Sequence, residues 1–439
     1  MKIQFKKIYS KFLIRILFPI ADHIMITKIS YYYNQIRMLN KYSKKNLNNW
    51  QEEKLKNLIN YAYQNTIYYR NLFDKNRLAP KDIQKITDLR KIPILTKKDI
   101  RNNWDSLISE KQKKNSYKIS STGGSTGEPL KYLLDKNSWS YATANTIINR
   151  ENIGLKFGEK YLSLGSSSLF IDKRKSLKHY IYYKLKNKYN FSGINMSDDN
   201  CKKIIDLIIK KKIKYIYGYA SSIFLLSKYI NKKQLKVDIN ACLTTSEILL
   251  PKYKKAIENA FKCKILDEYG AFDGGITAFN NGEGFFRVGY NTVINIYKNN
   301  KNYGTAIITD LLNYSMPFIN YQIGDVFSVN KKNSSYNGQI IKAILGRTSD
   351  IIYLENGNIL TGPAFTVLFK DLPIEYYYIK KNGKNSIECY IKKLSTYNDQ
   401  HEKIIEGTIK KQMGEKSKLS IKYSNKIFLS KNGKRKYFN

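Results

Sequence analysis

The chain has 439 residues, of which 42% are hydrophobic and 13% aromatic, so it can bury a large core and is not expected to be intrinsically disordered. Its 77 Lys and Arg against 35 Asp and Glu give a formal net charge of +42, which attracts anions in general. Specific nucleic-acid binding is not predicted, because the lysines are dispersed and no helix-turn-helix, zinc-finger or RNP-type motif accompanies them.

The first 29 residues are basic and apolar. Their apolar run at 12–21 is broken by Arg15 and Pro19, which leaves it too short to span a membrane, and it lacks the small-residue cleavage site of a signal peptide. Two interpretations remain open for this segment. It is either an amphipathic helix lying on the anionic inner face of the membrane or a helix docked on the large domain.

The next predicted elements are a helix over 52–69 and two short strands at 117–119 and 131–134. Between the strands lies a loop of Ser121, Thr122, Gly123, Gly124, Ser125, Thr126, Gly127, Glu128 and Pro129. Glycines let backbone N–H groups approach an anion, and the hydroxyls add donors, so the loop is typical of a phosphate cradle. A Ser/Gly-rich surface turn is the alternative. Neither a Walker loop nor a GxGxxG fingerprint is present.

The middle of the chain alternates helices with short apolar strands. Helices are predicted over 200–211 and 251–261, each followed by a strand, at 215–218 and 263–266. This alternation predicts a doubly wound α/β layer that binds ligands beyond the carboxyl ends of its strands.

The last third is richer in strands. Segment 286–324 contains predicted strands at 293–297 and 305–309 and is expected to be more antiparallel. After residue 350 the chain predicts a small α+β domain, with strands at 375–380, 386–391 and 419–423 and a helix over 400–411. The fold class is therefore α/β, with a large N-terminal domain of α/β layers plus a strand-rich region and a small C-terminal domain.

The four cysteines are far apart in the sequence and show no CxxC pair. They are Cys201, Cys242, Cys263 and Cys389. We therefore expect reduced, mostly buried thiols in a cytoplasmic protein, and neither a disulfide framework nor a structural zinc site.

The loop at 121–127 resembles the phosphate-binding motif of the adenylate-forming enzymes, the superfamily of acyl-CoA synthetases, amino-acid adenylation domains and luciferases. Four more segments resemble that superfamily's motifs in its own order. They are the adenine and metal motif at 267–275, the ribose-binding segment at 309–325, the hinge motif at 346–350 and the lysine site at 433–434. Five motifs in one order are not expected by chance.

Within the superfamily, the chain is similar to the phenylacetate-CoA ligase branch and to the CapK-like proteins associated with capsule and surface polysaccharide loci. The similarity rests on Tyr68-Tyr69-Arg70 at the end of a helix, on the segment at 92–100 and on the loop at 217–222. It runs from about Trp50 to the C-terminus. It implies a large ATP- and acyl-binding domain (50–349) and a mobile small domain (350–439), which follow the basic N-terminal segment (1–49).

The resemblance implies that ATP and Mg²⁺ are cofactors, that the glycine loop holds the β and γ phosphates, and that Tyr269 stacks on adenine, with Gly270 also binding the nucleotide. Asp325 would accept both ribose hydroxyls, and Arg347 would hold the ribose and phosphate. Lys434 would bridge the carboxylate and the α-phosphate as the catalytic lysine. The remaining implied residues are Asp273 for the metal and, for the substrate, Tyr217, Gly218, Tyr219, Ala220 and Glu247.

Two departures from the family pattern bear on activity. Asp273 stands where many members have a metal-binding glutamate, yet it still offers a carboxylate. Asn320 and Gln322 replace arginines that usually flank the position of Tyr321. Fewer cations there would weaken ATP binding or mark altered chemistry.

Three hypotheses follow. The leading one is an enzyme that converts a small carboxylic acid to an acyl-adenylate and passes the acyl group to a thiol, amine or hydroxyl, with coenzyme A as a candidate acceptor, in surface polysaccharide assembly. The second is a dedicated coenzyme A ligase for an aryl acid. The third is a degenerate, non-catalytic family member that acts as a membrane-bound scaffold or as a nucleotide-binding partner.

Overall fold

A computed structural model describes residue 16 and residues 18–113, 115–122, 130–165, 187–193, 196–298, 303–328, 336–347, 352–353, 359–360, 372–382, 386–413 and 418–428. The α-helices of these residues, numbered in chain order, are α1 (Phe18–Met25), α2 (Ile29–Leu39), α3 (Lys44–Asn65), α4 (Ile67–Lys75), α5 (Lys97–Asn102), α6 (Trp104–Leu107), α7 (Lys136–Asn152), α8 (Asp198–Lys211), α9 (Ala220–Lys232), α10 (Pro251–Phe261) and α11 (Asp399–Met413). Short 3₁₀-helices lie at Pro80–Asp82, Ile86–Lys91 and Phe272–Gly274.

The strands of the described residues are β1 (Tyr117–Ser121), β2 (Lys131–Asp135), β3 (Tyr161–Gly165), β4 (Lys188–Ser192), β5 (Tyr215–Tyr219), β6 (Ala241–Thr245), β7 (Lys264–Ala271), β8 (Ile276–Asn280), β9 (Phe286–Val288), β10 (Thr292–Lys298), β11 (Tyr303–Asp310), β12 (Tyr321–Ser328), β13 (Ile340–Ile341), β14 (Ala343–Arg347), β15 (Ile352–Tyr353), β16 (Ile359–Leu360), β17 (Ile374–Lys381), β18 (Ser386–Lys393) and β19 (Lys418–Tyr423).

The largest sheet has the order β13-β9-β8-β7-β6-β5-β3-β4. Strands β3 to β7 are parallel, whereas β8, β9 and β13 continue the sheet antiparallel. Apolar residues of α8, α9 and α10 pack on one face of the parallel part. Ile153 and Leu155, which directly follow α7, pack on the other face. This arrangement confirms the predicted α/β class.

The other sheets follow the predicted order of elements. Strands β1 and β2 form an antiparallel hairpin around the glycine loop, as expected. Strands β10, β11, β12 and β14 form an antiparallel sheet, which confirms the strand-rich region. In the C-terminal part, β17, β18 and β19 form a three-stranded sheet whose core includes Ile405 and Ile409 of α11.

The helix predicted over 52–69 is in fact two helices, α3 and α4, with a break at Thr66. The backbone of Thr66 is extended (φ −133°, ψ 131°), and its hydroxyl oxygen accepts a hydrogen bond from the N–H of Tyr69. Threonine is a favoured N-cap because its side chain satisfies a donor that the new helix leaves unpaired. The periodicity of apolar residues continues across the break, which is why the sequence predicted one helix.

The N-terminal helix α2 docks on the large domain. Its buried residues Ile29, Tyr32 and Ile36 pack with Tyr141 and Ala144 of α7. The preceding helix α1 is held at its end by Asp22, whose carboxylate accepts hydrogen bonds from the Thr27 hydroxyl (2.6 Å) and the Ile29 N–H (2.9 Å). Residues 1–15, which carry most of the predicted amphipathic segment, lie outside the described residues.

Gly218 in β5 permits the close approach of β3. A Cβ atom at this position would lie 2.2 Å from the carbonyl oxygen of Leu164, a backbone atom that cannot move without shifting the strand. We therefore expect Gly218→Ala to lower the free energy of unfolding in urea by about 1–3 kcal/mol. Gly270→Ala is a matched control, since its Cβ would meet only an ordinary contact at 3.6 Å. Equal stability of the two variants would contradict this explanation.

Candidate active site

Three residues predicted to bind the nucleotide come together from three strands. The hydroxyl of Tyr269, near the end of β7, donates a hydrogen bond to Oδ2 of Asp325 in β12. The pairing of β12 with β14 places Arg347 directly opposite Asp325, although only the backbone of Arg347 is described. Asp325 is buried, and the ring of Tyr269 packs edge-on against Phe327 at 5.6 Å. A carboxylate, an aromatic ring and a basic residue are thus neighbours.

The predicted metal residue Asp273 lies in the 3₁₀-turn between β7 and β8. It is buried, and its Oδ2 accepts a hydrogen bond of 3.0 Å from the hydroxyl of Tyr321. The turn requires glycine at the next position but one, because Gly275 has φ +66° and a Cβ there would lie 2.1 Å from Oδ2 of Asp310. The Asp-Gly-Gly sequence therefore fixes the position of this carboxylate.

The base of the glycine loop lies against the same turn. Thr122 closes the loop, since its N–H donates to the Leu130 carbonyl and its hydroxyl oxygen accepts from the Leu130 N–H, both at 2.9 Å. Next along β2, Tyr132 packs on Phe318 at 6.0 Å, and Phe318 packs on Tyr321 at 4.9 Å. Burial raises the pKa of Tyr132 to about 12, and the Asp273 carboxylate adds to that rise.

Part of the predicted phosphate and catalytic machinery lies outside the described residues. Gly123, Gly124, Ser125, Thr126 and Gly127 lie outside the described residues. Lys434 lies outside them as well. Ser121, the last residue of β1, is described and pairs with Lys131. The roles of these residues therefore remain predictions.

On the substrate side, Tyr217 lies beneath a buried ion pair. Arg150, near the end of α7, donates two hydrogen bonds of 2.7 Å to the carboxylate of Glu268, and its guanidinium lies 4.4 Å from the centre of the Tyr217 ring. The side chains of Arg150 and Glu268 are only 17% and 8% exposed. Burial alone would lower the pKa of Arg150, but the Glu268 carboxylate raises it above the ordinary value. Arg150 therefore stays charged in its buried position beside Glu268.

Sequence reasoning missed this ion pair. Glu268 precedes Tyr269 inside the recognised motif, so its position at the site was visible. Arg150 lies 118 residues earlier in the chain, and nothing in its local sequence distinguishes it from the other basic residues. The packing of α7 on the sheet brings the two together.

The other predicted substrate residues have structural contacts of their own. Tyr219 and Ala220, at the junction of β5 and α9, are buried in the protein interior. Glu247 follows β6, and its Oε2 accepts a hydrogen bond of 2.8 Å from the N–H of Ser221 in the first turn of α9. Its Oε1 is buried and has no hydrogen-bond partner among the described residues. A carboxylate at a helix N-terminus is favoured by the helix dipole.

The two departures near Tyr321 have different settings. Asn320 is buried with φ +55°, a conformation that asparagine adopts more readily than most residues. Its side-chain amide donates to the carbonyl of Ile92 at 2.7 Å, and its own carbonyl accepts from the Leu95 N–H. Asn320 thus anchors the segment at 92–95. Gln322 is partly exposed, and its N–H donates to the Leu95 carbonyl.

Asp310 packs against Gly275 in the turn that holds Asp273, and it should make the free energy of unfolding depend on pH. It is fully buried, Ser138 donates to it, and burial raises its pKa from 3.8 to about 6. The proton is therefore held more tightly in the folded state, so this stabilisation is complete below pH 3.8 and is lost as the pH rises through 6.

We accordingly expect the unfolding free energy of the wild type to fall relative to that of Asp310→Asn between pH 4 and pH 7. The fall should be about 1.4 kcal/mol for each unit by which the pKa of Asp310 in the folded state exceeds its pKa in the unfolded state. Urea denaturation at several pH values measures it. A difference that stays constant over this range would contradict the raised pKa.

A magnesium site would depend on Asp273 and on the substrate. No group of three or more His, Cys, Asp or Glu side chains converges anywhere in the described ranges. Mg²⁺ commonly uses one or two protein carboxylates together with phosphate oxygens and water, so a single buried carboxylate such as Asp273 fits this ion. Among the helices of the described residues, none is both long enough and apolar enough to cross a membrane.

Comparison with curated proteins finds similarity over nearly the whole chain. No protein-family model matches. The chain is 25% identical over 418 residues to Protein CapK of Staphylococcus aureus, covering 93% of this chain and 92% of that protein. It is 33% identical over 100 residues to phenylacetate-coenzyme A ligase of Escherichia coli (strain K12), covering 22% of this chain and 23% of that ligase.

Solved structures share the fold. 2-Hydroxyisobutyryl-CoA ligase in the postadenylation state, in complex with 2-HIB-AMP, superposes with a TM-score of 0.69 at 13% identity and covers 89% of each chain. The anthranilate CoA ligase AuaEII in complex with anthranoyl-AMP gives a TM-score of 0.54 at 13% identity, covering 72% of this chain and 64% of that one. The chain is therefore similar to CapK over nearly its whole length, is similar to phenylacetate-coenzyme A ligases over a shorter segment, and shares the fold of solved CoA ligases.

Proposed function

We propose that the protein uses ATP to activate a carboxylic acid and then transfers the acyl group to an acceptor. In the first step a carboxylate oxygen attacks the α-phosphorus of ATP, and the bond to the pyrophosphate leaving group breaks, which yields an acyl-adenylate and pyrophosphate. In the second step a nucleophile attacks the acyl carbon and AMP leaves. Coenzyme A is the first acceptor to test, because one solved neighbour, 2-hydroxyisobutyryl-CoA ligase, has a structure in complex with 2-HIB-AMP and CoA.

The observation that carries this proposal is the convergence of Tyr269, Asp325 and the Arg347 backbone beside the turn of Asp273. Asp325 would accept hydrogen bonds from the two ribose hydroxyls, and Tyr269 would stack on adenine. The glycine loop would wrap the β and γ phosphates, with Thr122 fixing its base. Fixed donors of this kind stabilise the charge that builds up on the triphosphate in the transition state.

Lys434 and Arg347 would act nearest the reacting atoms. Lys434 would bridge the carboxylate and the α-phosphate, and Arg347 would hold the ribose and phosphate. Mg²⁺, held by Asp273 and by phosphate oxygens, would neutralise charge on the triphosphate.

Burial of Asp273 and Asp325 keeps both carboxylates away from bulk water, which strengthens their electrostatic interactions.

The direct test is carboxylate-dependent exchange of labelled pyrophosphate into ATP, run over a panel of aryl, hydroxy, amino and sugar acids. Exchange with at least one acid, lost in Lys434→Ala, would support adenylation. ATP binding without exchange for any acid would instead favour a non-catalytic, nucleotide-binding family member.

A dedicated aryl-acid coenzyme A ligase is the second candidate function. It is favoured by the local identity of about one third to phenylacetate-coenzyme A ligases, which spans about a quarter of the chain or less. Loss of the free thiol of coenzyme A in step with AMP formation would support it. AMP formation that requires a different acceptor would favour a role in surface polysaccharide assembly, which rests on the similarity to CapK.

We also propose that the N-terminal region contacts the inner face of the membrane. Ile16, Ile20 and Ile24 recur at helical spacing, and each is about half exposed. Four lysines precede them within residues 1–11. An exposed apolar stripe next to cationic residues is typical of segments that bind anionic lipid surfaces.

Co-sedimentation with phosphatidylglycerol vesicles tests this contact. The double variant Ile20→Asp/Ile24→Asp should bind these vesicles more weakly than the wild type. Ile209→Asp, which changes an exposed isoleucine of α8, is the control and should bind normally. Equal binding by all three proteins would contradict the contact.

A further inference from the structure

The topology of the parallel strands marks a ligand crevice. In the order β4-β3-β5-β6-β7, the chain runs from β3 outward to β4 and then returns to β5 on the opposite side of β3. The strand order therefore reverses between β3 and β5. In open α/β sheets, ligands bind outside the carboxyl ends of the strands at this switch point.

Polar side chains occupy one face of the sheet at this point. Ser163 of β3 and Tyr217 of β5 are register partners across the switch point, so their side chains share a face. Glu268 lies on the same face, two strands along, and is paired in register with Thr245. Arg150 lies over the ring of Tyr217 and donates hydrogen bonds to Glu268. We name Arg150, Ser163, Tyr217, Thr245 and Glu268 the polar wall.

The polar wall is neutral overall but rich in hydrogen-bonding groups. The charges of Arg150 and Glu268 cancel, while Glu268 keeps spare lone pairs and Arg150 keeps a spare donor. Burial, followed by the Glu268 carboxylate, raises the pKa of Tyr217, so its hydroxyl stays a donor at neutral pH. The buried hydroxyl of Ser163 has no hydrogen-bond partner within the described residues.

The wall and the Tyr269 ring lie on opposite faces of β7, next to each other where the pairing of β6 with β7 ends. Glu268 is the chain neighbour of Tyr269, and successive side chains of a strand point to opposite faces. An acid whose carboxylate is held near the nucleotide would extend its acyl chain along the strand ends toward β5. That direction leads to Tyr217 and Arg150.

We propose that the polar wall contacts the acyl chain and selects a carboxylic acid bearing a neutral hydrogen-bonding group, such as a hydroxyl, over acids with an apolar or charged chain. This proposal rests on the proposed adenylation function. An apolar chain would strip water from Arg150 and Glu268 without replacing its hydrogen bonds, which is costly for buried polar groups. A charged chain would find no net countercharge, because the ion pair is already neutral.

The test compares matched acids in pyrophosphate exchange. The pairs are 3-hydroxybutyrate with butyrate and 4-hydroxyphenylacetate with phenylacetate, and succinate serves as the charged acid. For at least one pair, we expect the hydroxylated acid to exceed its apolar partner by about a hundredfold or more in kcat/KM, since sites built to bind a hydroxyl strongly reject analogues that lack it.

The variant Arg150→Met/Glu268→Met should reduce that preference at least about tenfold, because it removes the pair without leaving one charge unmatched. Arg287→Met/Glu283→Met is the matched control, since this pair is also bidentate but lies on the surface. It should keep the wild-type preference. A wild type that prefers the apolar acids, or a double variant with an unchanged preference, would overturn the proposal.

Binding of the same acids, followed by saturation-transfer NMR, gives a readout that needs no turnover. Selective binding of a hydroxylated acid that is lost in Arg150→Met/Glu268→Met would support the polar wall even if no acid supports exchange. In that case adenylation fails and the wall stands. Exchange with a preference for the apolar acids would support adenylation and overturn the polar wall.

Discussion

Replacing Asp325 with alanine is expected to raise the KM for ATP about a hundredfold or more in pyrophosphate exchange. Asp325 is buried where β7, β12 and β14 meet, and its carboxylate already accepts a hydrogen bond from the hydroxyl of Tyr269. If it binds the ribose, the variant loses two hydrogen bonds to a charged group, each worth about 1.5–3 kcal/mol. Isothermal titration with ATP measures the same loss without turnover.

Two companions make the Asp325 result interpretable. Asp238→Ala removes an exposed carboxylate that pairs with Lys214 and should leave the KM for ATP unchanged. Tyr269→Phe keeps the ring and removes only its hydrogen bond to Oδ2 of Asp325, so it should change the KM far less than Asp325→Ala does. A folded Asp325→Ala protein with a KM within threefold of the wild type would rule out the ribose assignment.

The second large effect concerns stability. Arg150→Met should lower the free energy of unfolding by about 3–5 kcal/mol, because it leaves the carboxylate of Glu268 buried without a partner. Arg150→Met/Glu268→Met should recover most of that loss, since buried ion pairs can often be replaced by apolar side chains at little cost. Urea denaturation followed by circular dichroism measures both variants.

Arg287→Met is the control for Arg150→Met. It breaks an ion pair with Glu283 whose side chains are about one third exposed, and such pairs contribute about 0–1 kcal/mol. If Arg150→Met were no more destabilising than Arg287→Met, burial of the Arg150–Glu268 pair would not govern its energetics. If the double variant were as unstable as Arg150→Met, the loss would come from packing and not from the unpaired charge.

Much of the fold could be predicted because its signals are local. Apolar spacing predicted α8, α10, the two strands around the glycine loop and the C-terminal sheet with its helix. The exception at Thr66 is informative, since a single N-cap hydrogen bond divided a helix whose apolar pattern continued. Capping geometry depends on one residue's backbone dihedrals, which periodicity does not report.

The nucleotide residues could also be proposed from the sequence, because each belongs to a short motif. Tyr269, Asp273 and Asp325 were predicted in this way, and the fold brings Tyr269 and Asp325 into direct contact. The setting of Asn320 could not be predicted. Its amide anchors the Ile92 carbonyl, a contact with a segment more than two hundred residues earlier in the chain.

The sequence by itself indicated the family resemblance, the α/β class and the residues proposed to bind ATP, because motifs and the helix and strand periods are encoded in neighbouring residues. Only the tertiary structure decided which distant side chains meet. It brought Arg150 onto Glu268 and Tyr217, and it placed the sulfur atoms of Cys242 and Cys263 at 3.7 Å, although their spacing showed no pair. Strand order and helix packing set these contacts, and neither is written in local spacing.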